Sequence, residues 1–306
     1  MKRYSIKYTI FFALTISILV FLVMIITGLL IDLLNPVYIG RIGIYIIASI
    51  FSGALITGGI SIFNPVLAEA MTTLRRMLRI ESLSNPLLLK LSIEAPGTYH
   101  HSLNVSSLAQ KAAKAIKVDS LLVRTAAYYH DLGKLDNPTL YVENQSEIEI
   151  PTAEDEESIR KHANAIISHV EKGVTIAEEA KLPPEIIDLI KEHHGTTRAL
   201  YFYGIAKERG LKIKKTDFRY AGPIPQSKEA VILMLADCVE AAARSTKELT
   251  SEKIKFIVEN TIEERLNDNQ FKNSHLTEID LGKIKFSLIE TLQTVYHQRI
   301  EYKHHE

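Results

Sequence analysis

Histidine and aspartate residues recur in short groups through the middle of this 306-residue chain. Imidazole and carboxylate groups together suit transition metals such as iron, manganese or zinc, and the abundance of imidazole argues against magnesium alone. The groups read HHS (100–102), HDLGK (130–134), SHV (168–170), EHHGT (192–196) and LADCVEA (235–241). Each lies on or at the end of a segment with helical periodicity. Because helical bundles gather ligands from separate helices onto one interior point, these groups predict a shared metal site.

The pattern further indicates a binuclear site, because a carboxylate flanked by a histidine can bridge two cations. Such ions lie roughly 3.5 to 4 Å apart, activate water near neutral pH and neutralise charge on a phosphoryl group. A His-Asp pair alone is weak evidence; its occurrence with His193-His194 and a later Ala-Asp on an apolar helix is much stronger. Lys134 follows Asp131 by about one helical turn and would project near the same face, where it could offer a point charge to substrate. The alternative is that Lys134 is an ordinary surface residue with no role in the site.

Composition excludes several other classes of protein. Lys and Arg total 36 against 36 Asp and Glu, so there is no overall basic excess of the kind expected for a general binder of duplex nucleic acid. Cys238 is the single cysteine, which rules out an intramolecular disulfide and a cysteine-based zinc cluster. A cytosolic, reducing location for the catalytic part fits this usage.

The elements that must position these groups are predicted to be helices. Apolar and alanine-rich faces recur at helical spacing, whereas strand signals are limited to short runs such as 211–213. The chain is therefore predicted to be all-α, with an acidic solvated loop at 147–157 and covering helices in the tail, 252–306. The predicted helices span 101–115, 120–132, 158–180, 184–193 and 228–245.

The N-terminal region predicts a membrane anchor. Residues 10–31 carry no charge, and a helix needs roughly 20 apolar residues to cross a bilayer. A second apolar stretch, 37–63, is interrupted near its start by Arg41. Basic residues flank both stretches, at 2–7 and 75–79, which places both ends in the cytoplasm. A cleaved signal peptide is the alternative, but the first stretch is longer than such a peptide needs and a second span follows at once.

The sequence resembles the HD superfamily of metal-dependent phosphohydrolases and, more narrowly, the membrane-bound seven-transmembrane HD family of cyclic di-AMP phosphodiesterases. The similarity is dense over residues 84–249. The matching words are APGTYHHSLNV (95–105), AAYYHDLGKL (126–135), ENQ (143–145), ISHVEKG (167–173), EHHGTT (192–197), YFY (201–203), FRYAGPIPQSKEA (218–230) and MLADCVEAAAR (234–244).

This resemblance implies a ligand set and a reaction. One metal would be held by His101, His130, Asp131 and Asp237, and Asp131 would be shared with a second metal held by His169, His193 and His194. Both ions would be divalent transition metals, iron or manganese. Water activated by them would open cyclic di-AMP to a linear 5'-phosphorylated dinucleotide, with Asp131 and Lys134 as the catalytic residues of the chain. Lys134, Arg219 and Lys228 are the candidates for contacting substrate.

Taken together, the apolar stretches and the resemblance predict an organisation in four regions. These are a two-helix transmembrane anchor (1–64), a juxtamembrane connector helix (65–94), an HD phosphohydrolase domain (95–250) and C-terminal helices that complete it (251–306). The chain would be a multi-pass protein of the cell membrane with a cytoplasmic catalytic domain, and contacts within the bilayer could pair copies in a homo-oligomer.

Two departures from the family leave alternatives open. The chain starts with two predicted spans where the family has seven and a large extracytoplasmic sensor, and residues 146–157 are acidic where relatives carry an Asn-Pro-His stretch. One alternative is an HD phosphohydrolase acting on another nucleotide or on cyclic di-GMP. Another is an inactive membrane receptor that binds nucleotide, although loss of metal ligands, the usual mark of such a receptor, is not seen here.

Overall fold

The computed structural model describes residues 15, 18–20, 22–28, 51–52, 80–145, 156–210 and 214–297. It divides the chain into two units, Met1–Arg79 and Ile80–Glu306. Most of the predicted transmembrane hairpin lies outside the described residues, as do the strand signal at 211–213 and most of the acidic segment. Among the residues that are described, no helix combines the length and the apolar character needed to cross a bilayer.

The second unit is built from helices. In its described part, strand-like pairing is confined to an isolated antiparallel bridge between Arg198 and Arg219, so the all-α prediction is confirmed there. Short 3₁₀ helices follow α3 (Leu132–Asp136, Pro138–Leu140, Val142–Asn144) and precede α8 (Lys215–Phe218). The α-helices are α1 (Pro86–Glu94), α2 (Pro96–Ile116), α3 (Ser120–Tyr129), α4 (Glu156–Ile167), α5 (His169–Glu179), α6 (Pro184–Glu192), α7 (Leu200–Glu208), α8 (Lys228–Ser245), α9 (Ser251–Asn267) and α10 (Glu278–His297).

Side-chain caps fix where several helices begin. The side chain of Asn85 accepts a hydrogen bond from Leu87 N at the start of α1, and that of Asp119 accepts from two backbone amides at the start of α3. Ser227 and Thr250 cap α8 and α9 in the same way. Each cap satisfies a backbone N–H group that has no partner within its own helix.

Helix α8 lies at the centre of the unit. Its residues from Ala230 to Ala236 are all fully buried, and a helix that is apolar on every side is expected to be surrounded by others. It packs against α2, whose alanines at 109, 112 and 113 are also fully buried and allow close approach. Asp237 follows this buried stretch directly, so α8 carries a carboxylate into the interior.

Two predicted helices are shortened or divided, each next to a histidine. The helix predicted over 120–132 stops at Tyr129, and a 3₁₀ turn follows. The helix predicted over 158–180 is divided at Ser168 into α4 and α5. Ser168 Oγ donates to the carbonyl of Ala165 and His169 Nδ1 pairs with that of Ile166, so side chains satisfy the last carbonyls of α4.

Candidate metal centre

The centre is organised around the carboxylate of Asp131, which is almost fully buried. Its Oδ2 atom lies 3.3 Å from His130 Nε2 and 3.7 Å from His101 Nε2. Its Oδ1 atom lies 3.3 Å from His169 Nε2 and 3.9 Å from His193 Nε2. Each oxygen therefore faces its own pair of imidazoles, as a bridging carboxylate between two cations requires.

Three of these imidazoles are oriented in the same way. His130, His169 and His193 each lie at a helix end and pair through Nδ1 with the backbone carbonyl three residues earlier, at 2.8, 2.6 and 2.6 Å. A carbonyl can only accept, so Nδ1 carries a proton and Nε2, the nitrogen left to bind a metal, faces Asp131. Such outer hydrogen bonds fix the tautomer and ring orientation of metal-binding histidines.

His101 is oriented by a carboxylate instead. Its Nδ1 pairs with Glu240 Oε2, and the other oxygen of Glu240 accepts from Asn104 Nδ2 at 3.0 Å. Its Nε2 lies 3.0 Å from Asp237 Oδ1. The row of Glu240, His101 and Asp237 is buried, and it matches the arrangement in which a carboxylate raises the basicity of a metal-binding imidazole.

His194 completes the second side of the centre. Its Nδ1 lies 3.7 Å from Asp237 Oδ2, and its ring stacks on Tyr220 with centroids 4.2 Å apart and planes 23° apart. The chain reverses directly after it at Gly195, which has φ +53°. A Cβ atom at Gly195 would lie 2.3 Å from Gln270 Oε1, so only glycine fits this turn.

The electrostatics of the centre favour cations beside the carboxylates. Burial and the neighbouring histidines lower the pKa of His193 to about 3, which keeps this ring in the neutral form that binds metal. Burial also opposes protonation of His130, but Asp131 and Asp237 outweigh it and raise the pKa of His130 to about 10. Positive charge is therefore stabilised where the two aspartates meet.

The residues present fit divalent metal ions. Nε2 of His130 is buried and has no hydrogen-bond partner among the described residues, although buried polar atoms are almost always paired. Three overlapping sets bring one ligand atom per residue within 4.8 Å of each other: His169, His193 and His194; His101, His130 and Asp237; and His130, Asp131 and His193. All seven predicted metal ligands thus belong to one buried cluster.

Lys134 contacts this cluster directly. Its Nζ lies 2.7 Å from Asp131 Oδ2 and 2.6 Å from Glu143 Oε1, and 5.0 Å from the centroid of the Tyr141 ring. Burial opposes its charge, but the charges of Asp131 and Glu143 outweigh burial and raise its pKa above the ordinary value. Thr98 donates to Glu143 at 3.3 Å, which anchors this second carboxylate. Lys134 is therefore a permanently charged group at the edge of the centre.

A close glycine contact brings the HDLGK turn against α5. A Cβ atom on Gly133 would lie 1.8 Å from the carbonyl oxygen of His169 and 2.6 Å from Gly173 N. Glycine at 133 is thus required for Asp131 and His169 to meet across this contact.

The structure does not bring Arg219 and Lys228 into the cluster. The guanidinium of Arg219 pairs with both oxygens of Asp268, at 2.9 and 2.7 Å, and donates to the carbonyl of Thr196. Lys228 Nζ lies 2.7 Å from Asp280 Oδ2. The contacts of both residues described here are with protein groups.

Four further residues support the site but were not predicted from the sequence. Glu240 could have been found, because it follows Asp237 by three residues and so lies on the same face of α8. Gln270 gives no local signal: its buried amide accepts from Thr196 N at 3.0 Å and donates to Thr196 Oγ1 at 2.9 Å, which ties the His193-His194 turn to the α9–α10 loop. The other two are Glu143 and Tyr220.

The fold and the site together define a helical domain of the HD class. The HD domain family profile matches residues 98–242. Solved structures agree: the HD domain of the Listeria monocytogenes phosphodiesterase PgpH matches with a TM-score of 0.66 and 42% identity, covering 70% of this chain and 100% of that domain. The same domain in complex with cyclic di-AMP gives 43% identity and the same TM-score, over 71% of this chain and 100% of that domain.

Full-length relatives extend the similarity. The cyclic-di-AMP phosphodiesterases PgpH of Bacillus subtilis and of Listeria monocytogenes are each 39% identical over 269 residues, which is 88% of this chain. This chain belongs to the HD-domain family that contains the PgpH phosphodiesterases. It spans 37% and 36% of the length of those two relatives.

Proposed function

We propose that this protein is a metal-dependent phosphodiesterase that hydrolyses cyclic di-AMP to linear 5'-pApA. The observation that carries the proposal is the position of Asp131, whose two oxygens each face two imidazoles in a buried cluster. The substrate is supported by the similarity to a PgpH HD domain solved with cyclic di-AMP.

Two divalent transition metals, iron or manganese, are proposed as cofactors. His101, His130, Asp131 and Asp237 would hold one ion, and Asp131, His169, His193 and His194 the other. Bound there, the two ions would lower the pKa of a water molecule and neutralise charge on the phosphoryl group. The chemistry of the donor set supports these metals, because five imidazoles with two carboxylates suit them better than magnesium.

The residues of the chain itself would orient the substrate. Lys134, fixed between Asp131 and Glu143, holds a positive charge where a non-bridging phosphate oxygen can meet it. Arg219 and Lys228 are proposed as further substrate contacts, with less structural support than Lys134. Each would have to exchange an aspartate partner, Asp268 or Asp280, for a substrate phosphate.

We further propose that residues 1–64 anchor the enzyme in the cell membrane as a two-helix hairpin. The uncharged stretch at 10–31 and the flanking basic residues support this arrangement. A connector at 65–94, an HD domain at 95–250 and completing helices at 251–306 would then follow on the cytoplasmic side. A homo-oligomer would be formed through the hairpin.

A substrate panel tests the function. The full chain, purified anaerobically in detergent with iron or manganese, would be incubated with cyclic di-AMP, cyclic di-GMP and deoxynucleotides, and products would be resolved by chromatography. We expect cyclic di-AMP to be opened most efficiently. Turnover of another nucleotide alone would favour the alternative phosphohydrolase, and binding of cyclic di-AMP without turnover by the metal-loaded protein would favour the inactive receptor.

A further inference from the structure

A cavity opens beside the metal centre, between the α4–α5 junction and the loop that follows Tyr220. It has a volume of about 430 Å³ and is lined by residues of α4, α5, the end of α6 with the turn after it, and this loop. Ile167, Val170 and Val174 give it apolar walls, and the rings of His194 and Tyr220 line it on the side of the metal centre. Volumes of roughly 300 to 1,000 Å³ with apolar walls and few polar groups are typical of small-ligand sites.

Three polar side chains that line this cavity, Asn164, Glu171 and Lys191, have no side-chain partner among the described residues. Asn164 lies near the end of α4 and Glu171 near the start of α5, and both line the cavity. Within the part of the chain that the structure describes, neither the carboxamide of Asn164 nor the carboxylate of Glu171 has a side-chain partner. Ser168, between them, donates its hydroxyl to Ala165 O. A ligand could therefore bind Asn164 and Glu171 without breaking contacts within the protein.

We propose that this cavity binds one base of the cyclic dinucleotide and that Asn164 and Glu171 select adenine over guanine. The inference rests on the proposed function. An asparagine carboxamide can pair with adenine through two hydrogen bonds, to N6 and N7. On the same edge guanine presents two acceptors, O6 and N7, which a carboxylate repels, whereas the exocyclic amine of adenine donates to it. The apolar walls and the His194–Tyr220 pair provide a surface on which a base can lie.

The phosphodiester and the base would then occupy adjoining places. His194 belongs both to the metal cluster and to the wall of the cavity, so the two sites share a residue. A base seated in the cavity would hold the linked phosphate near Asp131 and Lys134. This position explains how the buried metal cluster could become selective for a purine.

Variants of the full chain test this cavity. Asn164→Ala removes the paired contact at an exposed position, and Ala221→Phe fills the cavity from an exposed loop position, so both should fold. We expect each variant to weaken cyclic di-AMP binding about tenfold. Bis(p-nitrophenyl) phosphate has no base, so kcat/KM for cyclic di-AMP divided by kcat/KM for this compound should also fall about tenfold. Glu171→Gln should reduce the preference for cyclic di-AMP over cyclic di-GMP. Lys161→Ala and Ala180→Phe, exposed and outside the cavity, serve as matched controls and should leave both measures unchanged.

The outcomes separate this inference from the proposed function. Wild-type turnover of cyclic di-AMP with unchanged affinity in Asn164→Ala and Ala221→Phe would overturn the cavity assignment alone. Wild-type binding without turnover, weakened by both variants but by neither control, would overturn the proposed function and support the cavity. A wild-type chain that neither binds nor cleaves cyclic di-AMP would overturn both.

Discussion

Replacing Glu240 by alanine should weaken one metal site selectively. Glu240 is 1% exposed and accepts from His101 Nδ1 and Asn104 Nδ2, so its loss leaves both donors without their buried partner. Removing an outer partner of a metal-binding histidine typically costs 10- to 100-fold in metal affinity, or about 1.4 to 2.7 kcal/mol. The effect should fall on the ion held by His101, because the histidines on the other oxygen of Asp131 are oriented by backbone carbonyls.

Metal competition with a chelator of known affinity measures this loss for each ion in turn. The full chain should release one ion at 10- to 100-fold lower chelator excess in Glu240→Ala, while the second ion is retained as in wild type. Glu240→Gln keeps an acceptor for His101, so the chelator excess that releases its first ion should lie between the values for wild type and Glu240→Ala. Glu263→Ala, at an exposed position of α9, is a matched control for loss of a glutamate and should behave as wild type.

Two results would refute this reasoning about the orientation of His101. Equal weakening of both ions would mean that Glu240 acts through general stability of α8, which chemical denaturation of the metal-free protein would show separately. Unchanged release of both ions would mean that the contact between Glu240 and His101 contributes nothing to metal binding.

Three further substitutions test other parts of the centre. Asp131→Ala removes the shared carboxylate and should abolish both metal binding and turnover while circular dichroism still shows a helical fold; retained turnover would contradict the bridging role. Lys134→Gln should lower kcat by roughly 100- to 1,000-fold in substrate assays, without loss of metal in elemental analysis, because the missing charge faces substrate; full metal loss would show a structural role instead. Gln270→Ala leaves the Thr196 N–H unpaired and should lower the free energy of unfolding by about 1 to 3 kcal/mol in urea titrations, whereas exposed Asn273→Ala should not.

The candidate ligands could be chosen from the sequence because their chemistry is local. His130 and Asp131 are adjacent, His193 and His194 are adjacent, and each pair ends a helix whose periodicity is readable. The helices carrying the ligands were likewise predicted from apolar spacing. What could not be predicted was the break at Ser168, because a helical pattern continues through it and only the carbonyl contacts of Ser168 and His169 show where α4 ends.

Hydrogen-bond partners that lie far apart in the sequence could not be predicted from residue spacing. Thr98 meets Glu143 and Gln270 meets Thr196 through contacts between separate elements, so no local pattern marks them. The same holds for Arg219: a basic residue in a loop beside the site suggests a phosphate contact, yet its partner Asp268 lies 49 positions away in the chain. A positively charged residue near a site is therefore weak evidence for a substrate contact, because the tertiary structure can pair it with a carboxylate of the protein.

The way the histidines are oriented links the metal centre to the integrity of its helices. His130, His169 and His193 direct Nε2 inward because Nδ1 pairs with a carbonyl three residues earlier, and that carbonyl is in place only when the helix end is formed. Asp237 depends in turn on α8, whose preceding residues are buried on all sides. The ligand geometry is thus a product of helix termini meeting on a rigid central helix, and bound metal should stabilise the fold as much as the fold orients the metal.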